Sequence, residues 1–272
     1  MSTSFRDFEH AGWDDVGVVT SYHRHLSELT TGCIAELVRL ARLKPGQRAL
    51  DVACGAGYVA AAVSKQGAET TGLDFSAAQI RLAEQTYPSI RFIEGDAEAL
   101  PFPDRYFDVV FNGFGLPHVP HHDRVVAEAF RVLKPGGRFA YASWCEATKC
   151  IAFSMVFDAI RTCGALDVGL PPGPNFFSCG DPKYAKEMLG QAGFVDVTTS
   201  EVPLVWRVGS PDEIIDTILS STVRAAAALR GQSTEALAAI KQYLRQRIAS
   251  FEKGASYEVP APALVVVARK LQ

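Results

Sequence analysis

The sequence predicts an α/β protein built on a mostly parallel sheet, and three observations carry that expectation. Between residues 30 and 145, short apolar runs alternate with helix-periodic stretches, the layout of strand-helix-strand units. Three of the apolar runs end on an aspartate, at Asp51, Asp74 and Asp96. Proline-glycine pairs, as in "LKPGQ" and "LKPGG", then punctuate the boundaries between helix and strand.

Ile34, Leu37, Val38 and Ala41 fit one face of a helix, and "LKPGQ" closes it before a first strand, "RALDVA". A helix over about 57–66 leads to "TTGLD", a second strand ending at Asp74, and Ser76 caps a helix over about 77–86. "IRFIEGD" reads as a third strand, and the turn "PFPDRY" feeds a fourth, Phe107 to Asn112. The loop "GFGLPHVPHHD" opens a helix with Val125, Val126, Ala129, Phe130 and Leu133 at helical spacing. "KPGG" is expected to stop that helix, and "RFAYASW" is the fifth strand.

After Trp144 the rhythm changes. Residues 150–168 read as a helix, "GLPPGPNFFSCGD" as a proline-glycine loop, and Ala185, Met188, Leu189 and Ala192 as a helix ending at Gly193. "VDVTTSEVPLVW" alternates like one strand, two helices follow around 212–229 and 234–252, and "APALVVVAR" is the last strand. No linker polar enough to separate independent domains interrupts the chain.

Composition narrows the function classes. With 48% hydrophobic and 21% charged residues, 272 residues suffice for one large domain with a sizeable core. A net charge of −3 gives no footprint for nucleic acid. No apolar run reaches membrane-spanning length, and "MSTSFRDFEHAGWDD" lacks a basic segment followed by an apolar core. A cytoplasmic protein is therefore expected. Six cysteines at irregular spacing suggest reduced, buried thiols rather than a disulfide framework or zinc ribbon.

The informative stretch is "ALDVACGAGYVA". In an open parallel sheet, ligands bind beyond the carboxyl ends of the strands, which is where Asp51, Gly55 and Gly57 fall. Glycines there let the backbone approach a ligand closely. A carboxylate at that edge repels a pyrophosphate and attracts an ammonium group. Asp74, at the next strand end, is placed to accept from two ribose hydroxyls, and Asp96 from an exocyclic adenine amine. Amino-acid head, ribose and adenine in sequence outline S-adenosylmethionine.

"ALDVACGAGYVA", "GLDFSAAQI", "IEGDAEALPFPDRYFDVVFN" and "EAFRVLKPGGRFAYASW" together resemble the class I S-adenosylmethionine-dependent methyltransferases, in the small-molecule branch that includes the quinone-biosynthesis enzymes. The resemblance is strong over 45–145, moderate for "MLGQAGFVDV" and the last strand, and weak elsewhere. It implies a Rossmann-like three-layer sandwich whose mostly parallel seven-stranded sheet has an antiparallel last strand, with a helical lid. The implied organisation is a single domain, 1–272, with an N-terminal lid at about 1–30. A cofactor-binding core spans about 31–145, and substrate-lid insertions about 146–180 and 207–256.

Carried over by position, the resemblance implies that Asp51, Ala53, Gly55 and Gly57 hold the methionine part, Asp51 acting through water. Asp74 would bind the ribose, Phe75 pack on the adenine and Gln79 border it, while Asp96 and Ala97 receive the adenine edge. Asn112 and Gly113 would line the sulfonium end through their backbone, and Cys54 is read as structural. S-Adenosylhomocysteine would be the product.

Each candidate also has a plainer reading, since Asp51, Asp74 and Asp96 could cap turns or helices, and Phe75 and Gln79 could serve core or surface. His118, just past the fourth strand, is the candidate for substrate contact or general base, against the reading of a packed, hydrogen-bonded histidine. His121, His122 and Asp123 beside it read as residues of a loop feeding a helix, not as metal ligands. Trp13, Tyr22 and His25 in the N-terminal segment, and Trp144, Phe153 and Phe176 after the fifth strand, are substrate-pocket candidates. They suit an aromatic or hydrophobic small molecule, although ordinary packing accounts for the same letters.

The expected reaction is in-line displacement of the sulfonium methyl by an oxygen, nitrogen, carbon or sulfur nucleophile. The cofactor is already a reactive electrophile, so alignment and exclusion of water matter more than a dedicated base. Two rivals stand beside it. One binds the same cofactor for a non-methylating cyclisation or rearrangement. The other is a nicotinamide dehydrogenase, since Gly55 to Ala60 imitates G-x-G-x-x-G/A, although Asp51 speaks against that reading.

Overall fold

The computed structural model describes residues 3–271; the ends of the expected 1–272 span, residues 1, 2 and 272, lie outside the described residues. The strands are β1 (Arg48–Val52), β2 (Glu69–Asp74), β3 (Arg91–Glu94), β4 (Phe107–Gly113), β5 (Leu133–Trp144), β6 (Phe194–Val202), β7 (Val205–Val208), β8 (Glu252–Lys253), β9 (Ser256–Pro260) and β10 (Ala263–Lys270). The helices are α1 (Phe5–Trp13), α2 (Val16–His25), α3 (Ser27–Thr31), α4 (Ile34–Ala41), α5 (Tyr58–Ser64), α6 (Ala77–Thr86), α7 (His122–Val132), α8 (Ile151–Cys163), α9 (Pro182–Gln191), α10 (Pro211–Ser221), α11 (Arg224–Arg230) and α12 (Thr234–Ala249). The chain divides into two compact units, one of Thr30–Cys145, Pro174–Val202 and Ala263–Gln272, the other of Met1–Leu29, Glu146–Gly173 and Pro203–Pro262.

In the first unit seven strands form one sheet in the order β3-β2-β1-β4-β5-β10-β6. All pairs up to β4–β5 are parallel, and β10 runs antiparallel to both β5 and β6. The mostly parallel seven-stranded sheet with its antiparallel last strand is therefore present. β1 lies inside the sheet, and the almost inaccessible Ala49, Leu50 and Val52 make the continuous apolar run of a strand covered on both faces. Alternation along β1 separates the layers. Leu50 and Val52 join the core with Val125, Ala129, Ala185 and Leu189 of α7 and α9, while Asp51 faces the other way and meets α5.

The chain leaves β1 outward through β2 and β3, then returns to pair β4 on β1's other side. Strand order thus reverses between β1 and β4, and a crevice opens there at the carboxyl ends. Asp51 pairs with Gly72 on one side and Phe111 on the other, so it stands at that switch point.

Four local expectations need correction. "KPGG" does not precede the fifth strand but lies inside it: Phe107 pairs with Leu133 and Val109 with Arg138, so the extra residues form a bulge. "VDVTTSEVPLVW" is two strands, because Pro203 follows β6 and has no N–H for the ladder, and β7 pairs with β9 in a separate three-stranded sheet β7-β9-β8. The helix expected over 150–168 stops at Cys163, where Gly164 turns extended. The helix expected over 212–229 breaks at Thr222, which is extended and whose hydroxyl accepts from the Ala226 N–H at 3.2 Å, starting α11.

The second unit packs α2 against α10 and α8 against α12, beside the small sheet. Ile240, Leu244 and Ile248 form the buried stripe of α12. No helix among the described residues is long and apolar enough to cross a membrane.

Candidate functional site

The turn from β1 into α5 is the centre of the site. Ala53, Gly55 and Gly57 all have positive φ, at 53°, 53° and 82°. At Gly57 a Cβ would stand 2.7 Å from the Phe92 ring, so conformation and space both require glycine. The sequence singled out the glycines, but Ala53 gives no signal of its own strained backbone.

The two buried acids use this turn differently. Asp74 accepts from the Gly55 N–H at 2.8 Å and the Ser76 N–H at 2.9 Å, tying the glycine turn to the tip of β2 and to the start of α6. Ser76 accepts from the Gln79 N–H at 3.1 Å, as a cap should. Asp51 is 1% exposed; its Oδ2 accepts from the Ala60 N–H at 2.9 Å, and its Oδ1 has no hydrogen-bond partner among the described residues. Burial, reinforced by the Asp74 carboxylate and opposed by the Ala60 N–H, pushes the Asp51 carboxyl up to about 8. A buried acid with a vacant acceptor, mostly protonated at neutral pH, is set to ionise when a cation arrives.

Around these acids, Gln79 is buried with its amide oxygen 3.7 Å from where a Cβ on Gly55 would be, and Phe75 is half-buried. Asp96 accepts from the Glu98 N–H at 2.9 Å beyond β3, with Ala97 buried next to it. Asp51 and Asp74 thus lie at the tips of β1 and β2, and Asp96 just past the tip of β3, on three neighbouring strands. Cys54 is buried, its thiol raised well above the usual range by desolvation and the two aspartates, so it stays protonated.

Asn112 does more than its backbone suggested. Its side chain donates to the Val52 carbonyl at 2.9 Å and accepts from the Gly115 and Leu116 N–H groups at 3.0 Å, locking the tip of β4 to that of β1. Gly113 is half-buried. Phe114, at φ 61°, packs on Trp144 with ring centroids 4.3 Å apart. Sequence reasoning missed Phe114; glycines on both sides were the only hint of a special turn.

His118 ends a short 3-10 turn, Leu116–His118, and meets Phe176 edge-on at 6.1 Å. His121 is exposed and His122 buried, so the histidine run diverges. Among the described residues no group of three His, Cys, Asp or Glu side chains is arranged to hold a metal ion. The remaining candidates lie in the second unit. Trp13 donates its indole N–H to the buried Glu9 at 3.0 Å and meets Tyr22 edge-on at 5.5 Å, His25 is exposed at the end of α2, and Phe153 packs on Trp206 at 5.6 Å.

A parallel sheet in this order, with an antiparallel β10 and a glycine turn leaving its switch-point strand, is a Rossmann-like arrangement, and solved methyltransferases share the fold. Residues 50–141 match the family model of a methyltransferase domain. A demethylmenaquinone methyltransferase of Lysinibacillus sphaericus is 41% identical over 132 residues, 46% of this chain and 54% of the relative, so the chain spans about half the length of that curated protein. Haemonchus contortus phosphoethanolamine N-methyltransferase 2, solved with phosphomonomethylethanolamine and S-adenosylhomocysteine, shares the fold at TM-score 0.61 and 19% identity, covering 99% of this chain and 61% of its own. The (4+2)-cyclase SpnF does so at TM-score 0.63 and 20% identity, covering 99% and 98%.

Proposed function

We propose that this chain binds S-adenosylmethionine across the tips of β1 to β4 and directs its sulfonium methyl to a small-molecule acceptor. The observation that carries this reading is the buried, unpartnered Oδ1 of Asp51 at the switch point, an acceptor suited to an ammonium group. The surrounding residues suit the rest of the molecule: Asp74 to accept from ribose hydroxyls, Asp96 with Ala97 for the adenine edge, Phe75 and Gln79 along the base, and the backbone of Asn112 and Gly113 near the sulfur.

When bound, the cofactor supplies an activated methyl group. The protein's part is alignment and exclusion of water. Asn112 fixes the β4 tip rigidly, and the glycine turn keeps the backbone open to close approach. Phe114, Trp144 and Phe176 give the acceptor side an apolar lining, and the similarity to a demethylmenaquinone methyltransferase supports an aromatic acceptor such as a quinol. His118 is the side chain proposed to contact the acceptor and take its proton.

Since SpnF shares the fold, the decisive assay follows the methyl: S-adenosylhomocysteine formation across a panel of phenols, quinols, amines and thiols. Cofactor that binds but is not consumed, while a candidate substrate is rearranged, would point to the cyclisation reading. Asp74→Ala is expected to weaken S-adenosylhomocysteine binding by about 1.5–3 kcal/mol, the loss of hydrogen bonds to a charged group. Asp74→Asn keeps one of the two backbone acceptors, so a melting curve measured beside its affinity shows how much of the loss comes from the turn rather than from the ligand contact. Calorimetry showing wild-type affinity in both would remove the ribose assignment. His118→Ala is expected to slow turnover with cofactor affinity intact; unchanged turnover would rule out the base role.

A further inference from the structure

His122 has no part in the reading above, yet it is buried in the sheet-bearing unit with polar groups on both sides of its ring. It starts α7 and is 5% exposed. The ring also faces the Leu116 carbonyl, in the turn that carries His118, a backbone group that favours its protonated form. Nδ1 lies 3.0 Å from the Tyr184 hydroxyl of α9 and 3.4 Å from the Cys179 sulfur. The neutral ring satisfies these contacts with its proton on Nε2 and Nδ1 accepting from Tyr184, a tautomer assigned from the network.

Cys179 belongs to a second 3-10 turn, Ser178–Gly180, whose carbonyl at Cys179 accepts from the Tyr141 hydroxyl at 3.2 Å. Asn175 winds the chain before it, accepting from the Phe177 N–H at 3.0 Å, which sets Phe176 opposite His118. His122 therefore touches both turns that present the facing pair. A histidine serving only as a helix cap would need neither contact.

We propose that His122 is a positioning residue for the acceptor side of the site: it holds the Leu116–His118 turn against the Ser178–Gly180 turn and so fixes the His118–Phe176 pair. This rests on the methyltransferase reading for its functional meaning, because only there does that pair face an acceptor. Its physical content is independent of that reading. The two turns are a jaw, and one ring joins the halves.

The test is amide hydrogen exchange of the full chain, with His122→Gln, His122→Asn and Tyr184→Phe. In His122→Gln the amide nitrogen takes the place of Nε2 and keeps the bond to Leu116; in His122→Asn the side chain is too short for it. The Asn variant is expected to exchange about tenfold faster than wild type in both turns, while the Gln variant stays within about threefold over Leu116–Val119. Tyr184→Phe, which removes one half-buried hydroxyl and keeps the ring, is expected to quicken exchange about threefold in Ser178–Gly180. Circular dichroism and S-adenosylhomocysteine affinity, measured alongside, are expected to match wild type.

Equal loosening in the Gln and Asn variants would make the ring a mere space-filler and overturn the proposal. So would full protection in all three. If wild type does not bind S-adenosylhomocysteine, the cofactor reading falls while the exchange contrast still decides the jaw.

Discussion

Affinity for S-adenosylhomocysteine is expected to rise about tenfold per pH unit from about pH 5.5 to 7.5, then flatten above about pH 8, where the Asp51 carboxyl is already ionised before the ligand arrives. The cause is Asp51, whose burial holds its carboxyl at about 8, so a cation binds the ionised form only after a proton leaves. Calorimetry in buffers of different ionisation enthalpy should register release of close to one proton below pH 7. The free protein carries the opposite dependence. The folded-state pKa lies above the ordinary value of 3.8, so this contribution to stability is complete below that value and is lost as pH rises through about 8. Asp51→Asn should abolish both slopes, weaken binding at pH 7.5 by about 1.5–3 kcal/mol and leave the free protein at pH 8 more stable than wild type. A flat affinity profile for wild type would sink the assignment of Asp51 to the ammonium group.

That prediction marks where legibility stops. The position of Asp51 at a strand tip could be read from "ALDVACGAGYVA", because apolar run, acid and glycines are local signals. Its near-complete desolvation could not, since α5, β2 and β4 supply the cover from separate stretches of chain. Asn112 was read for its backbone alone; the Val52 carbonyl it binds is sixty residues away. His122 reads as a loop residue because it sits in a polar "PHHD" run, and only the phase of α7 turns it inward and His121 outward. The small sheet was missed for a similar reason: β7 and β9 are short and pair across about fifty residues, so neither carries a signal of its own.

Gly180→Ala should cost about 3–5 kcal/mol of stability and lower the melting temperature by roughly 10 °C or more. A Cβ there would lie 1.7 Å from the Trp144 carbonyl oxygen and 2.6 Å from its carbon, so the clash is with backbone at the end of β5 and no rotamer relieves it. The Ser178–Gly180 turn must retreat, loosening the Tyr141 bond to Cys179 and the contact of Cys179 with His122. Gly190→Ala is the control: it lies in α9, has negative φ and meets nothing within 4 Å, so the same added methyl should stabilise by up to about 1 kcal/mol. Asp51, Asp74 and the glycine turn stand at the tips of β1 and β2, away from this contact, so the folded fraction of Gly180→Ala should bind S-adenosylhomocysteine within about threefold of wild type. Melting curves that coincide for the two alanine variants would mean that the turn does not bear on the end of β5 as tightly as its geometry requires.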